Sequence, residues 1–122
     1  MSAMAKRTDV DTLRDIREAI RRTQVYVSTM TFEQFLADIK TQDSVVRNLE
    51  VMGEATKNLS VQMRNKYPDV PWKDLAGVRD KLIHHYFGVN FDIVWNIVTV
   101  ELRVMASQIE EILRHEIDKD DC

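Results

Sequence analysis

Gln42-Asp-Ser-Val45-Val-Arg-Asn-Leu49-Glu-Val-Met52-Gly53-Glu-Ala-Thr56-Lys-Asn-Leu59-Ser-Val-Gln-Met63 carries apolar or small side chains at positions 45, 49, 52, 56, 59 and 63. The steps alternate strictly between four and three, a spacing that keeps one stripe of a helix turned towards its neighbours for its whole length. This seam predicts a helix over residues 42 to 65, buried in a bundle. Gly53 in its middle costs about 1 kcal/mol relative to alanine, so another backbone is expected to come close there.

The flanking stretches have the same character. Val10, Leu13, Ile16, Ile20 and Val27 recur at helical spacing and predict a helix over 10–27, with Asp9 as its cap. Beside that stripe, Arg14, Arg17 and Arg21 alternate with Asp11, Asp15 and Glu18, the pattern of a solvated, salt-bridged face. Thr31-Phe-Glu-Gln34 has the form of a capping box and predicts a short helix over 32–39, docked by Phe32, Phe35 and Leu36. Pro68-Asp-Val-Pro71 interrupts the seam. Pro71 suits the first turn of a fourth helix, where a missing amide hydrogen is no loss. Leu75, Val78 and Leu82 give that helix its apolar stripe, and Gly88 is expected to end it. Asn90 then caps a fifth helix whose inward side chains are Phe91, Val94, Val98, Leu102, Met105, Ile109 and Ile112. The expected fold is all-α: an up-and-down bundle of four long helices plus one short one.

A chain of 122 residues, 44% apolar and 30% charged, is long enough to bury a core as a single domain over 1–122. Three glycines and two prolines leave little punctuation for many short strands. The N-terminal arm (1–8) and the acidic end from Glu116, above all 117–122, are expected to fray. A net charge of −3 argues against a protein that coats nucleic acid nonspecifically, because such binding draws on many Lys and Arg, so any nucleic-acid contact must be local. Cys122 is the single cysteine and has no intrachain partner. With no signal-peptide core and no run of 18 apolar residues, the expected location is the cytoplasm, with no membrane association. Met52, Met63 and Met105 fit core packing better than a ligand set.

Chemistry concentrates in Arg79-Asp80-Lys-Leu-Ile-His84-His-Tyr86. On a helix Arg79 and Tyr86 fall within roughly 20° of each other beside the Leu75/Val78/Leu82 stripe, while His84 lies roughly 140° round from Arg79 and points outward. Asp80, four residues before His84, shares its flank and can fix its tautomer. Adjacent His84 and His85 diverge by about 100°, and His115 alone completes no site, so no metal is expected.

The ordered set Gly53-Glu54-Ala55, Pro71-Trp72, Arg79-x4-His84-x-Tyr86 and Val94-Trp95 resembles the HepT-like branch of the HEPN superfamily, small all-helical ribonuclease toxins, over roughly residues 9 to 113. The resemblance implies an endoribonuclease toxin of a type VII-like toxin–antitoxin system that pairs its Arg-x4-His motifs at a homodimer cleft. It also implies that the cognate antitoxin, a minimal nucleotidyltransferase, silences the enzyme by adenylylating Tyr86. Metal-independent RNA cleavage needs a base for the 2′-hydroxyl, an acid for the leaving 5′-oxygen, and positive charge at the phosphate. Histidine suits the first two roles and arginine the third. One imidazole cannot easily be base and acid together, whereas a two-fold dimer supplies two copies of His84 and Arg79. Lys57, Arg64 and Lys66 form a run without acids and are candidates for RNA contact. Glu54 is expected to pair with Lys57 or Arg47. No cofactor is expected. The alternative reading is a noncatalytic helical interaction module built on the same bundle.

Overall fold

The computed structural model describes residues 7–82 and 89–120. Helices α1 (Asp9–Val27), α3 (Ile39–Lys57) and α8 (Leu102–Asp120) form the long members. Shorter α2 (Phe32–Leu36), α4 (Val61–Lys66), α5 (Trp72–Ala76), α6 (Val78–Leu82) and α7 (Phe91–Asn96) fill in between. Among the described residues there is no strand, so the chain is all-α.

The predicted seam is the core. Val45, Leu49, Met52, Thr56, Leu59 and Met63 are all buried, packed with Leu13, Ile16 and Ile20 from α1 and with Leu102, Ile109 and Leu113 from α8. Buried Thr56 satisfies its hydroxyl by donating to the Met52 carbonyl at 2.8 Å, and Thr23 does the same to Ala19. Neighbours run antiparallel. Asp9 at the start of α1 meets Ser60 just beyond the end of α3, and Leu75 and Val78 lie on Gly53 while Arg79 reaches back to Glu50. These contacts give the up-and-down arrangement. Gly53 is where α3 and the α5–α6 segment touch: a Cβ there would sit 3.1 Å from the Leu75 carbonyl oxygen and 3.3 Å from Val78 Cγ1.

Four boundaries differ from the periodicity. The helix predicted over 42–65 begins earlier, at Ile39, with Asp38 accepting from Thr41 N–H at 3.0 Å, and it breaks at Asn58–Ser60. The break is stabilised from a distance. Ser60 caps α4 by accepting from Met63 N–H, while the Asp9 carboxylate accepts from Ser60 N–H at 2.9 Å and from its hydroxyl at 2.6 Å. Asp9 is therefore a cross-tie within α1. The cap is Thr8, whose hydroxyl accepts from Asp11 N–H while the Asp11 carboxylate accepts from Thr8 N–H. The short second helix stops at Leu36, because the Gln42 amide donates to the carbonyls of Phe35 and Leu36, both at 2.9 Å, and closes it. Phe35 is fully buried against Phe91 and Trp95, and Phe32 also meets Trp95, but Leu36 points to solvent.

The fourth helix is split at Gly77 into α5 and α6. Pro71 stands at its cap position rather than inside the first turn. The fifth helix, capped by Asn90 as expected, passes through a π-helical turn, Ile97–Glu101. The wider turn lets Ile97 and Val98 both be buried before the regular register resumes at Leu102. Thr8 caps α1, and α8 continues through Asp120; residues 1–6 and 121–122 lie outside the described residues. Glu116 is buried, accepting from Lys66 Nζ at 2.8 Å and from the Tyr67 hydroxyl. No helix among the described residues is long and apolar enough to cross a membrane.

Candidate functional site

Arg79 owes its position to an anchored segment. Trp72 is buried and donates its indole N–H to the Tyr67 carbonyl at 2.9 Å, while Leu75, Val78 and Leu82 pack onto α3 around Gly53. With that stripe inward, Arg79 and Asp80 stand on the exposed flank of α6. The Arg79 side chain keeps 63% of its surface in solvent, and its Nε lies 3.7 Å from Glu50 Oε2. An exposed pair at that distance is worth at most about 1 kcal/mol, so the guanidinium is free to change partner. His84, His85, Tyr86 and Gly88 fall outside the described residues.

Beside Arg79 an open groove of about 610 Å³ runs between α1 and α3. Its α1 wall carries Asp15, Glu18 and Arg22, and its α3 wall carries Arg47, Glu50 and Glu54. Because the two helices are antiparallel, Arg22 and Arg47 stand at one end and Asp15 and Glu54 at the other. The acids are engaged. Glu18 accepts from Arg21 at 2.6 Å and lies 3.7 Å from Arg22, and Arg7 pairs with Asp15. The hydrogen bond from Arg21 holds the Glu18 carboxyl below its usual range. Lys57 reaches Glu54 at 3.9 Å, one of the two partners predicted for that acid.

The RNA-contact candidates Lys57, Arg64 and Lys66 lie apart from Arg79's groove, and none of the three lines it. Arg64 shares a different depression with Trp72 and Lys73, and Lys66 is turned to Glu116 on α8. The salt-bridged face predicted on α1 is present, with Arg17 reaching across to Glu110 of α8 at 3.1 Å. Sequence reasoning overlooked Arg22 and Glu50, and read Arg47 only as a possible partner of Glu54. Their signal was available, since 47, 50 and 54 step along α3 beside the buried seam as 15, 18 and 22 do along α1. Among the described residues, no three His, Cys, Asp or Glu side chains converge as metal ligands would.

An anchored helix presenting an exposed arginine at a polar groove, within an all-α bundle, is suited to holding a phosphate. The ribonuclease HepT-like family matches residues 16–112, and the chain belongs to it. The chain is 51% identical over 102 residues to a candidate RNase of Methanocaldococcus jannaschii, covering 84% of each protein. It is 40% identical over 107 residues to a protein of Thermococcus cleftensis named as a probable ribonuclease HepT, covering 88% of this chain and 97% of that one. A candidate RNase of Caldanaerobacter subterraneus subsp. tengcongensis is 47% identical over 90 residues, 74% of this chain and 80% of the relative. No solved structure matches the chain.

Proposed function

We propose that this chain is a metal-independent endoribonuclease toxin that acts in the cytoplasm as a homodimer and is silenced by a nucleotidyltransferase antitoxin through adenylylation of Tyr86. The observation that carries the reading is the exposed Arg79 guanidinium at the groove, opening an Arg-x4-His-x-Tyr motif in a member of a ribonuclease family. The ribonuclease names of the relatives support RNA cleavage over the noncatalytic interaction-module reading.

In the proposed reaction a base takes the proton of a 2′-hydroxyl, and the oxygen attacks the adjacent phosphorus. The 5′-oxygen leaves with a proton from the acid, giving a 2′,3′-cyclic phosphate and a 5′-hydroxyl. Arg79 holds the phosphate oxygens as their charge grows. His84 from each subunit of a two-fold dimer takes one of the two proton roles, and Asp80 fixes the imidazole tautomer. A nucleotide on Tyr86 places a competing phosphate near Arg79 and so blocks the substrate.

Purified protein should degrade cellular RNA with EDTA present. His84→Ala and Arg79→Ala should each slow this by about 100-fold or more while circular dichroism shows the helices intact. Equal rates for wild type and both variants would overturn the catalytic assignment. Light scattering should give the mass of a dimer, and a monomer that cleaves at full rate would remove the shared cleft. Co-expression with a nucleotidyltransferase and ATP should add AMP to Tyr86, and an unmodified, inhibited Tyr86→Phe protein would remove that mode of control alone.

A further inference from the structure

We infer that the α1/α3 groove is the track along which single-stranded RNA reaches Arg79, with Arg22 and Arg47 each gripping a phosphate beyond the one being cut. The inference rests on the proposed cleavage at Arg79 and names a contact surface beyond it. Three observations carry it. First, Arg79 lines the same open groove as Arg22 and Arg47, so a strand held at one is guided to the other without crossing a ridge of the bundle. Arg47 and Glu50, the acid that Arg79 contacts, are three residues apart on α3.

Second, the groove is polarised. Arg22, Arg47 and Asn48 stand at the end where α1 finishes and α3 begins, and Asp15 and Glu54 at the other. A polyanion therefore finds its attractive contacts at the arginine end, between Arg22, Arg47 and Arg79, whereas Asp15 and Glu54 at the other end offer it none.

Third, the positive charge at the arginine end is available. Glu18 is taken up chiefly by Arg21, at 2.6 Å, leaving Arg22 a contact of 3.7 Å between exposed side chains. Arg47 is the groove's one arginine without an ion pair among the described residues. In a groove that also carries Asp15, Glu18, Glu50 and Glu54, Arg22 and Arg47 can thus each exchange a weak carboxylate contact, or none, for a bidentate phosphate. Lys57, Arg64 and Lys66 line no part of that groove.

The test uses the full-length protein and a labelled 12-nucleotide single-stranded RNA without self-complementarity. Binding is measured across a salt series with His84→Ala protein so that the probe survives, and single-turnover cleavage is measured in the His84 background. Arg22→Ala/Arg47→Ala is expected to weaken binding at least tenfold and to reduce the slope of log K against log salt by about 1.4, or about 0.7 per lost phosphate contact on a single strand. The saturated cleavage rate should stay within about twofold, because the lost contact is equal in the bound and reacting states. Arg103→Ala, an exposed arginine of α8 outside the groove, is the charge-matched control. A salt slope for the double variant equal to that of the control overturns the inference. So does a loss of saturated rate with unchanged binding. If the double variant loses helicity, Arg47→Gln alone serves, with half the change in slope expected. Abolition of cleavage by Arg79→Ala together with an unchanged slope in the groove variants would leave the proposed reaction standing and remove only the track. A groove-dependent slope in a protein that cuts no RNA would do the reverse.

Discussion

Gly53→Ala sets two magnitudes of similar size against each other, and the geometry around Gly53 decides between them. In an exposed helix interior the change would stabilise by about 1 kcal/mol, the difference in helix propensity. Here the new methyl would meet the Leu75 carbonyl oxygen at 3.1 Å, Val78 Cγ1 at 3.3 Å and the Ala76 carbonyl oxygen at 3.4 Å. Two of the three are backbone atoms and cannot rotate away. Relief requires α5 and α6 to move off α3 as a unit, loosening buried Leu75, Val78 and Leu82, and inserting a methyl into so tight a contact costs about 1–3 kcal/mol. The balance is a net loss of roughly 1 kcal/mol, or about 3–5 °C in Tm for a domain of this size. Gly77→Ala provides the internal comparison. Its Cβ would meet only the Lys73 carbonyl oxygen, at 3.4 Å, and its φ of −94° suits any residue, so it should be neutral or stabilise by up to about 1 kcal/mol. Paired urea and thermal melts measure both. A Gly53→Ala protein more stable than wild type would refute the reading of Gly53 as the contact that seats the Arg79 segment.

Phe35→Ala should cost about 3–5 kcal/mol, because the fully buried ring is the contact through which α2 grips Phe91 and Trp95, and urea unfolding reads this directly. Glu116→Ala should lose about 1–3 kcal/mol by stranding the Tyr67 hydroxyl, with Glu116→Gln recovering part of it; an unchanged urea midpoint for Glu116→Ala would show that α8 does not depend on this tie. Burial, with the hydrogen bond to Glu116, pushes the Tyr67 hydroxyl up to about 12, whereas an unfolded tyrosine ionises near 10. The native state thus favours the protonated form, so this contribution is complete below pH 10 and is lost between about pH 10 and 12. Melts from pH 9 to 12 should fall more steeply for wild type than for Tyr67→Phe. In acid the sign reverses: Asp11 and Asp38, whose carboxyls are held below their usual range first by hydrogen bonds from Thr8 and Thr41, stabilise their helix starts above about pH 4 and release them as the pH drops further. Asp11→Asn and Asp38→Asn should therefore flatten the acid limb of the stability curve.

Much of the fold was legible because burial is periodic and periodicity survives in one dimension. All six seam positions from Val45 to Met63 are buried, although the helix that carries them breaks before Ser60. The break was hidden because its cause is tertiary: a carboxylate 51 residues away binds Ser60 and makes a turn there favourable. The π-helical turn was hidden for the opposite reason. Val94, Val98, Leu102 and Met105 already fit an unbroken helix, and the extra width serves Ile97, which the pattern did not require to be inside. Gly53 was read correctly, since its cost in a helix demands a close neighbour whatever that neighbour is.

Charge was less legible than apolarity, and the reason bears on how an acidic protein can handle RNA. Lys57, Arg64 and Lys66 are close in sequence, but Lys57 ends α3 while Arg64 and Lys66 belong to α4 beyond the break, and Lys66 pairs with Glu116, 50 residues on. Arg22 and Arg47 are 25 residues apart in sequence yet share one end of a groove, because α1 and α3 run antiparallel and each places a flank there. A run of cations in sequence reports composition, whereas a cationic track needs two elements whose flanks face each other and acids whose partners lie elsewhere. Glu18, held chiefly by Arg21, shows how an acid beside a phosphate path is kept from closing it. Glu50 is the exception. It faces Arg79 directly, so Glu50→Gln should free the guanidinium and tighten RNA binding, while an unchanged or weaker affinity would mean that Glu50 orients Arg79 rather than competes for it.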